Sequence, residues 1–200
     1  RRAPPDPPPT LALGKTYTAP PKSGTAGVTD LAANRLAADR TWTFSTASAC
    51  PCTVFGANDA PTGDAVIDDP VEVGMKFRSD EDGFITALRF YKQANNTGTH
   101  VGHLWSATGQ LLATATYTNE TASGWQPVDL PTPVPVTKAT VYITSYSAAS
   151  GRYAFSPGFF NQGVDRAPLH APASTPASGN GVFKYGASGF PDQSFNATSY

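Results

Sequence analysis

From about residue 70 the chain is written in short runs in which apolar and polar side chains alternate, the pattern of strands that bury one face and wet the other. The runs are VEVGMKFRS (71–79), GFITALRFYK (83–92), THVGHLWSATG (99–109), QLLATATYT (110–118), WQPVDL (125–130), ATVYITSYSA (139–148) and YAFSP (153–157). Between them fall Asp82-Gly83, Asn95-Asn96, Thr108-Gly109, Ser123-Gly124 and Ser150-Gly151, residues that cap their own backbone or tolerate positive φ. No apolar stripe at helical spacing lasts beyond two turns. Short strands divided by such turns predict an all-β fold, an antiparallel β-sandwich or jelly roll.

The N-terminal quarter is different. RRAPPDPPPT (1–10) reads as a disordered Pro-rich linker, because proline lacks the N–H that helix and central strand require. Residues 11–47 contain two strand patterns, one at Lys15–Thr18 and one at Trp42–Ser45, too few for a core of their own. The expected organisation is a linker at 1–10, a β fragment at 11–47 and a β-sandwich module at 49–200. Within that module the tail from Arg166 to Tyr200 reads as a long loop followed by a last strand.

Charge narrows the function. Fourteen basic residues against 15 acidic ones give a net charge of -1, with no long block of one sign, so nucleic acid is a poor partner. No apolar stretch is long enough for a membrane helix, which argues against membrane insertion. The N-terminus lacks the charged start and apolar run of an export signal, so a secreted chain carries its signal upstream of Arg1. The two cysteines, Cys50 and Cys52, flank Pro51 and provide no long-range disulfide framework. A Cys50–Cys52 disulfide closing a small strained ring, two capped thiols, or a soft-metal pair are the options, and a local structural element at the module's entrance is the expectation.

Candidate chemistry is sparse. The nucleophile-elbow pattern G-x-S-x-G is absent, and no catalytic residues are assigned. His100 and His103 form H-x-x-H, but on a strand residues three apart point to opposite faces, so the pair cannot chelate one ion without a bulge. Asp80 and Asp82 lie in a tight turn where backbone capping is the usual role; with backbone carbonyls they are the candidate calcium ligands. Alternation places Arg89 and Tyr91 on one face of their strand, and His103 and Trp105 on one face of theirs. If the two strands are neighbours, Arg89, Tyr91, His103 and Trp105 line one concave surface suited to stacking and hydrogen-bonding a sugar. The competing assignment puts Trp105 and Trp125 in the core and pairs Arg89 with a turn carboxylate.

Two resemblances add to this reading. GVTDLAANRLAADRTWTFST (27–46) resembles the C-terminal end of a bacterial Ig-like domain. CPCTVFG (50–56), VGMKFRSDEDGFITALRFYK (73–92), NTGTHVGHLWSATGQLLATATYTNETASGWQ (96–126), SGRYAF (150–155) and NGVFKYGASGFP (180–191) resemble the bacterial extracellular family known as domain of unknown function 4082. The resemblance implies an accessory module beside Ig-like and other domains in a larger secreted protein, and the chain is expected to be a monomer. It implies too that related chains run a few residues past the equivalent of Tyr200. The expected function is non-catalytic binding of extracellular polysaccharide or another envelope component, with neighbouring domains of the same chain as further partners. The alternatives are a spacer or adhesion unit with its aromatics buried, and a hydrolase with Asp or Glu beside His100 or His103 in an open cleft.

Overall fold

The computed structural model describes residues 11–12, 15–24, 27–46, 50–63 and 67–200; the linker expected at 1–10 lies outside them. The chain divides into two compact units, Arg1–Pro51 and Cys52–Tyr200. In the first, β1 (Thr16–Ala19) and β2 (Trp42–Ser45) pair antiparallel. The register sets Tyr17 opposite Phe44, and their rings stack at 5.7 Å, the kind of cross-strand pair that holds a two-stranded ribbon.

The second unit is built from β3 (Val71–Ser79), β4 (Gly83–Lys92), β5 (Val101–Ser106), β6 (Leu111–Thr116), β7 (Gly124–Val136), β8 (Val141–Ala148), β9 (Val164–Arg166), β10 (Leu169–Ala171), β11 (Val182–Tyr185) and β12 (Gln193–Ser194), with a 3-10 turn at Phe159–Asn161. Eight strands form one antiparallel sheet in the order β12-β11-β3-β8-β5-β6. One edge of β3 is shared: Val71–Gly74 pairs with β11, while Arg78 and Ser79 pair with β10, which in turn carries β9. The remaining strands, β4 and β7, form a two-stranded sheet.

Alternation along the strands makes the core. Val73 and Phe77 of β3, Leu104 of β5, and Tyr142 and Tyr146 of β8 all point one way, and are buried with Leu88 and Phe90 of β4 and Leu130 and Val136 of β7. The alternate residues of the large sheet, Glu72, His103, Trp105, Ile143 and Ser145, face away from that core and are buried by the C-terminal segment, where Phe190 packs on Trp105 at 5.8 Å. The antiparallel β-sandwich expected from the sequence is the fold of this unit.

Three local expectations change. WQPVDL ends at residue 130 in the pattern, yet β7 continues through PTPVPV to Val136. Pairing with β4 alone leaves its other edge free, and an edge strand tolerates prolines whose missing N–H is not needed by the ladder. YAFSP is not a strand; it contributes only the bridges Gly63↔Phe155 and Ser156↔Ser199. The tail is not one long loop: after β9, which ends at Arg166, it holds three strands of two to four residues, each too short to display a period.

Candidate functional site

The four residues expected to share one surface occupy two. Arg89 and Tyr91 lie on β4, which pairs only with β7; His103 and Trp105 lie on β5, between β8 and β6 in the other sheet. Each pair points away from the core, as alternation requires, but the two strands belong to opposite layers. The expectation of one concave surface is thus overturned by sheet membership, not by side-chain direction.

Arg89 and Tyr91 do sit in a cleft. Register places Trp125 opposite Tyr91, and their rings meet edge-on at 5.5 Å. The Arg89 guanidinium lies over the Trp125 ring, 4.2 Å from its centroid, a cation–π contact that keeps part of its solvation role. One Arg89 N–H donates to the Phe55 carbonyl, and Phe55 stacks on Trp125 at 5.7 Å. The indole N–H donates to the Asp59 carbonyl at 2.8 Å. The segment from Cys52 to Gly63 is therefore laid over the outer face of the small sheet. Phe55, Asp59, Tyr91, Trp125, Phe159 and Tyr200 line a small groove there. A larger cavity of ≈ 130 Å³ reaches from the space between the sheets, at Leu88 and Phe90, to the outer-face residues Phe55, Arg89 and Trp125, and shares Phe55, Trp125 and Tyr200 with the groove.

Among the described residues no turn carboxylate pairs with Arg89. Asp59, the carboxylate that acts on its charge, holds Arg166 at 3.2 Å and accepts the Gly56 N–H at 2.7 Å. Burial pulls the Arg89 pKa down, so its charge is partly desolvated and satisfied by a carbonyl and a ring face. Phe55, Trp125 and Phe159 were not among the expected site residues. The signal for Trp125 is its register with Tyr91, which no single strand displays.

His103 and Trp105 are interior. Glu72, with no exposed surface, accepts hydrogen bonds from Ser145 (2.6 Å) and Ser188 (2.8 Å) and holds His103 Nδ1 at 2.9 Å. The Trp105 indole N–H donates to Ser145 Oγ at 2.8 Å. A buried carboxylate is tolerable only with such a set of donors. His100 lies on the core side instead, 4.9 Å from the Phe90 ring, with Nδ1 on Glu120 at 2.9 Å and Nε2 on Asn96 Oδ1 at 2.9 Å. Lys92 closes on Glu120 at 2.7 Å. Burial pushes the Glu120 pKa up, but hydrogen bonds from Lys92 and His100 outweigh it and hold the carboxyl below its usual range. The H-x-x-H residues thus point to opposite faces, and each is engaged by its own glutamate.

The turn aspartates are also engaged. Asp80 holds Arg78 at 3.1 Å and His170 Nε2 at 2.5 Å, and His170 Nδ1 reaches Asp165 at 2.7 Å. Asp82 accepts the Lys138 N–H at 2.7 Å. Asp80 is thus taken by Arg78 and His170 and Asp82 by a backbone amide, and among the described residues no group of three His, Cys, Asp or Glu side chains could hold a metal. Cys50 and Cys52 are disulfide-bonded.

Fold and geometry define an all-β antiparallel sandwich module with an aromatic groove on one outer face. The chain matches Domain of unknown function (DUF4082) over residues 58–200, and it belongs to that family. No curated protein matches it.

Proposed function

We propose that this chain is a non-catalytic binding module of a larger exported protein, a monomer that holds extracellular polysaccharide or another envelope component in the groove formed by Phe55, Tyr91, Trp125 and Phe159. The observation that carries this reading is the clustering of these aromatics, one of them exposed (Phe159, 38%), beside the polar Asp59 and Ser156. Sugar rings stack on such faces while neighbouring polar groups take the hydroxyls. Burial of two of the three carboxylate–imidazole clusters, with Glu72 at 0% and His100 at 1% exposure, supports a non-catalytic role, since a general base must reach its substrate, and in the third both ring nitrogens of His170 are taken by Asp80 and Asp165. The resemblance of residues 27–46 to the end of an Ig-like domain fits a neighbour in the same chain. The test is retention of the full chain on insoluble polysaccharides and a titration of its tryptophan fluorescence with soluble glycan fragments. Binding that falls roughly tenfold in Phe159→Ala, the loss of one stacked ring, with an unchanged thermal transition, is expected; silence across both panels overturns the reading.

A spacer between neighbouring domains is the second reading, favoured by Trp105 at 7% exposure and by the fixed indole of Trp125. It leaves glycan panels silent and gives instead a measurable association with the adjoining domain.

A further inference from the structure

The cavity behind the groove differs from it in chemistry. Its body is apolar, walled by Val73, Met75 and Phe77 of β3 and by Leu88 and Phe90 of β4. At ≈ 130 Å³ it is close to the size of the roughly 150 Å³ apolar cavity known to admit a benzene molecule. A small aromatic body therefore fits it, and a sugar ring, with a hydroxyl on nearly every carbon, would leave those hydroxyls unpaired inside.

One cation stands in its lining. Arg89 has five N–H donors in a planar fork, and the Phe55 carbonyl takes one direction of that fork. Among the described residues no carboxylate pairs with Arg89, and the nearest candidate, Asp59, is held by Arg166. Two guanidinium groups and one carboxylate leave a local charge of one positive unit. A guanidinium held over an indole face and backed by a carbonyl is preorganised to accept a carboxylate by charge-assisted hydrogen bonds.

We propose that the cavity between the sheets is a binding site for a small aromatic carboxylate of about the size of benzoate, its ring among Met75, Leu88 and Phe90 and its carboxylate on Arg89. The cavity shares Phe55, Trp125 and Tyr200 with the polysaccharide groove, but Arg89 lines only the cavity and Phe159 only the groove, so the two can be tested apart.

The chain supplies its own reporter. Met75 is the single methionine, so the full chain labelled at the methionine methyl gives one resonance, and that methyl lies in the cavity wall. Benzoate is titrated against this signal beside benzyl alcohol, which has the same ring and no charge. A saturable shift with benzoate is expected. It weakens roughly tenfold for benzyl alcohol and for Arg89→Gln, the loss of a charge-assisted hydrogen bond, and is partly kept in Arg89→Lys. No shift with benzoate, or equal responses to acid and alcohol, overturns the proposal. The comparison of the two ligands on the unaltered chain decides the matter even where the Arg89 variants fold poorly. Benzoate binding that survives Phe159→Ala while glycan binding is lost separates this site from the groove.

Discussion

Glu72 is a carboxylate without exposed surface, held by His103 and by the hydroxyls of Ser145 and Ser188. Its removal does more than delete an ion pair: it strands the buried His103 and Ser145, and loosens the Ser145 hydroxyl that accepts from Trp105. Glu72→Ala is expected to lower stability by about 3–5 kcal/mol, the scale for breaking a buried charged network on one side, measured by urea denaturation. The tertiary circular dichroism of Trp105 should weaken with it. Asp82 offers the contrast, since its one hydrogen bond, to the Lys138 N–H, is exposed. Asp82→Ala should cost no more than about 1 kcal/mol. Equal losses in the two variants would mean that the network contributes nothing beyond single hydrogen bonds.

Elements carry a pH dependence that single residues do not. The β9–β10 hairpin is fastened to the end of β3 by His170, whose ring bridges Asp165 and Asp80. The Asp165 carboxylate, assisted by Asp80 and opposed by burial, raises the His170 pKa above 6.5. A raised folded pKa means that this stabilisation is complete below the unfolded value near 6.5 and is lost as pH rises through the folded value. Asp80 works in the other sense: its hydrogen bond to His170, opposed by burial, lowers its pKa below 3.8, so its share is present above 3.8 and lost as pH falls through the folded value. Amide exchange of β9 and β10, divided by the intrinsic rate of the unprotected amides at each pH, should therefore be slowest in the mildly acidic range and rise towards neutral and alkaline pH. His170→Ala should flatten that rise; an unchanged profile would show that the hairpin is held by its backbone alone. The same scale shows what the sequence could reveal. The alternation in 71–79 and 83–92 predicts β3 and β4 to the residue, because apolar and polar side chains take turns along both runs with the strand period. Which strand lies beside which is written in no single strand, and so Arg89 and Trp105 were expected to share a surface while their strands lie in different sheets. Trp125 enters the groove through its register with Tyr91, a relation between segments more than thirty residues apart. The prolines of β7 masked a strand because they occupy an edge that only topology defines.

At the scale of the whole Cys52–Tyr200 unit, one aromatic cluster ties the two sheets together. Phe90 of the small sheet stacks on Tyr146 of the large one at 4.2 Å and meets Tyr117 edge-on at 4.8 Å, while Tyr153 packs on Tyr200 at 5.6 Å. Beside this cluster the sheets are separated by the cavity of ≈ 130 Å³, so the cluster bears more of the inter-sheet contact. Burial raises the pKa of Tyr117, Tyr146 and Tyr153 well above the ordinary 10.0, and pushes Tyr200 up to about 12. The sign follows from linkage: with folded values above the unfolded one, the stabilisation is complete below pH 10 and drains away as pH rises beyond it. Ionising Tyr117 or Tyr146 in place would put an uncompensated charge against Phe90, a cost the fold avoids by opening. Alkaline titration should therefore give phenolate absorbance from the buried tyrosines in one cooperative step that coincides with loss of the tertiary circular dichroism signal. Ionisation of all the tyrosines ahead of that loss would mean that the two sheets are held together elsewhere than at Phe90 and Tyr146.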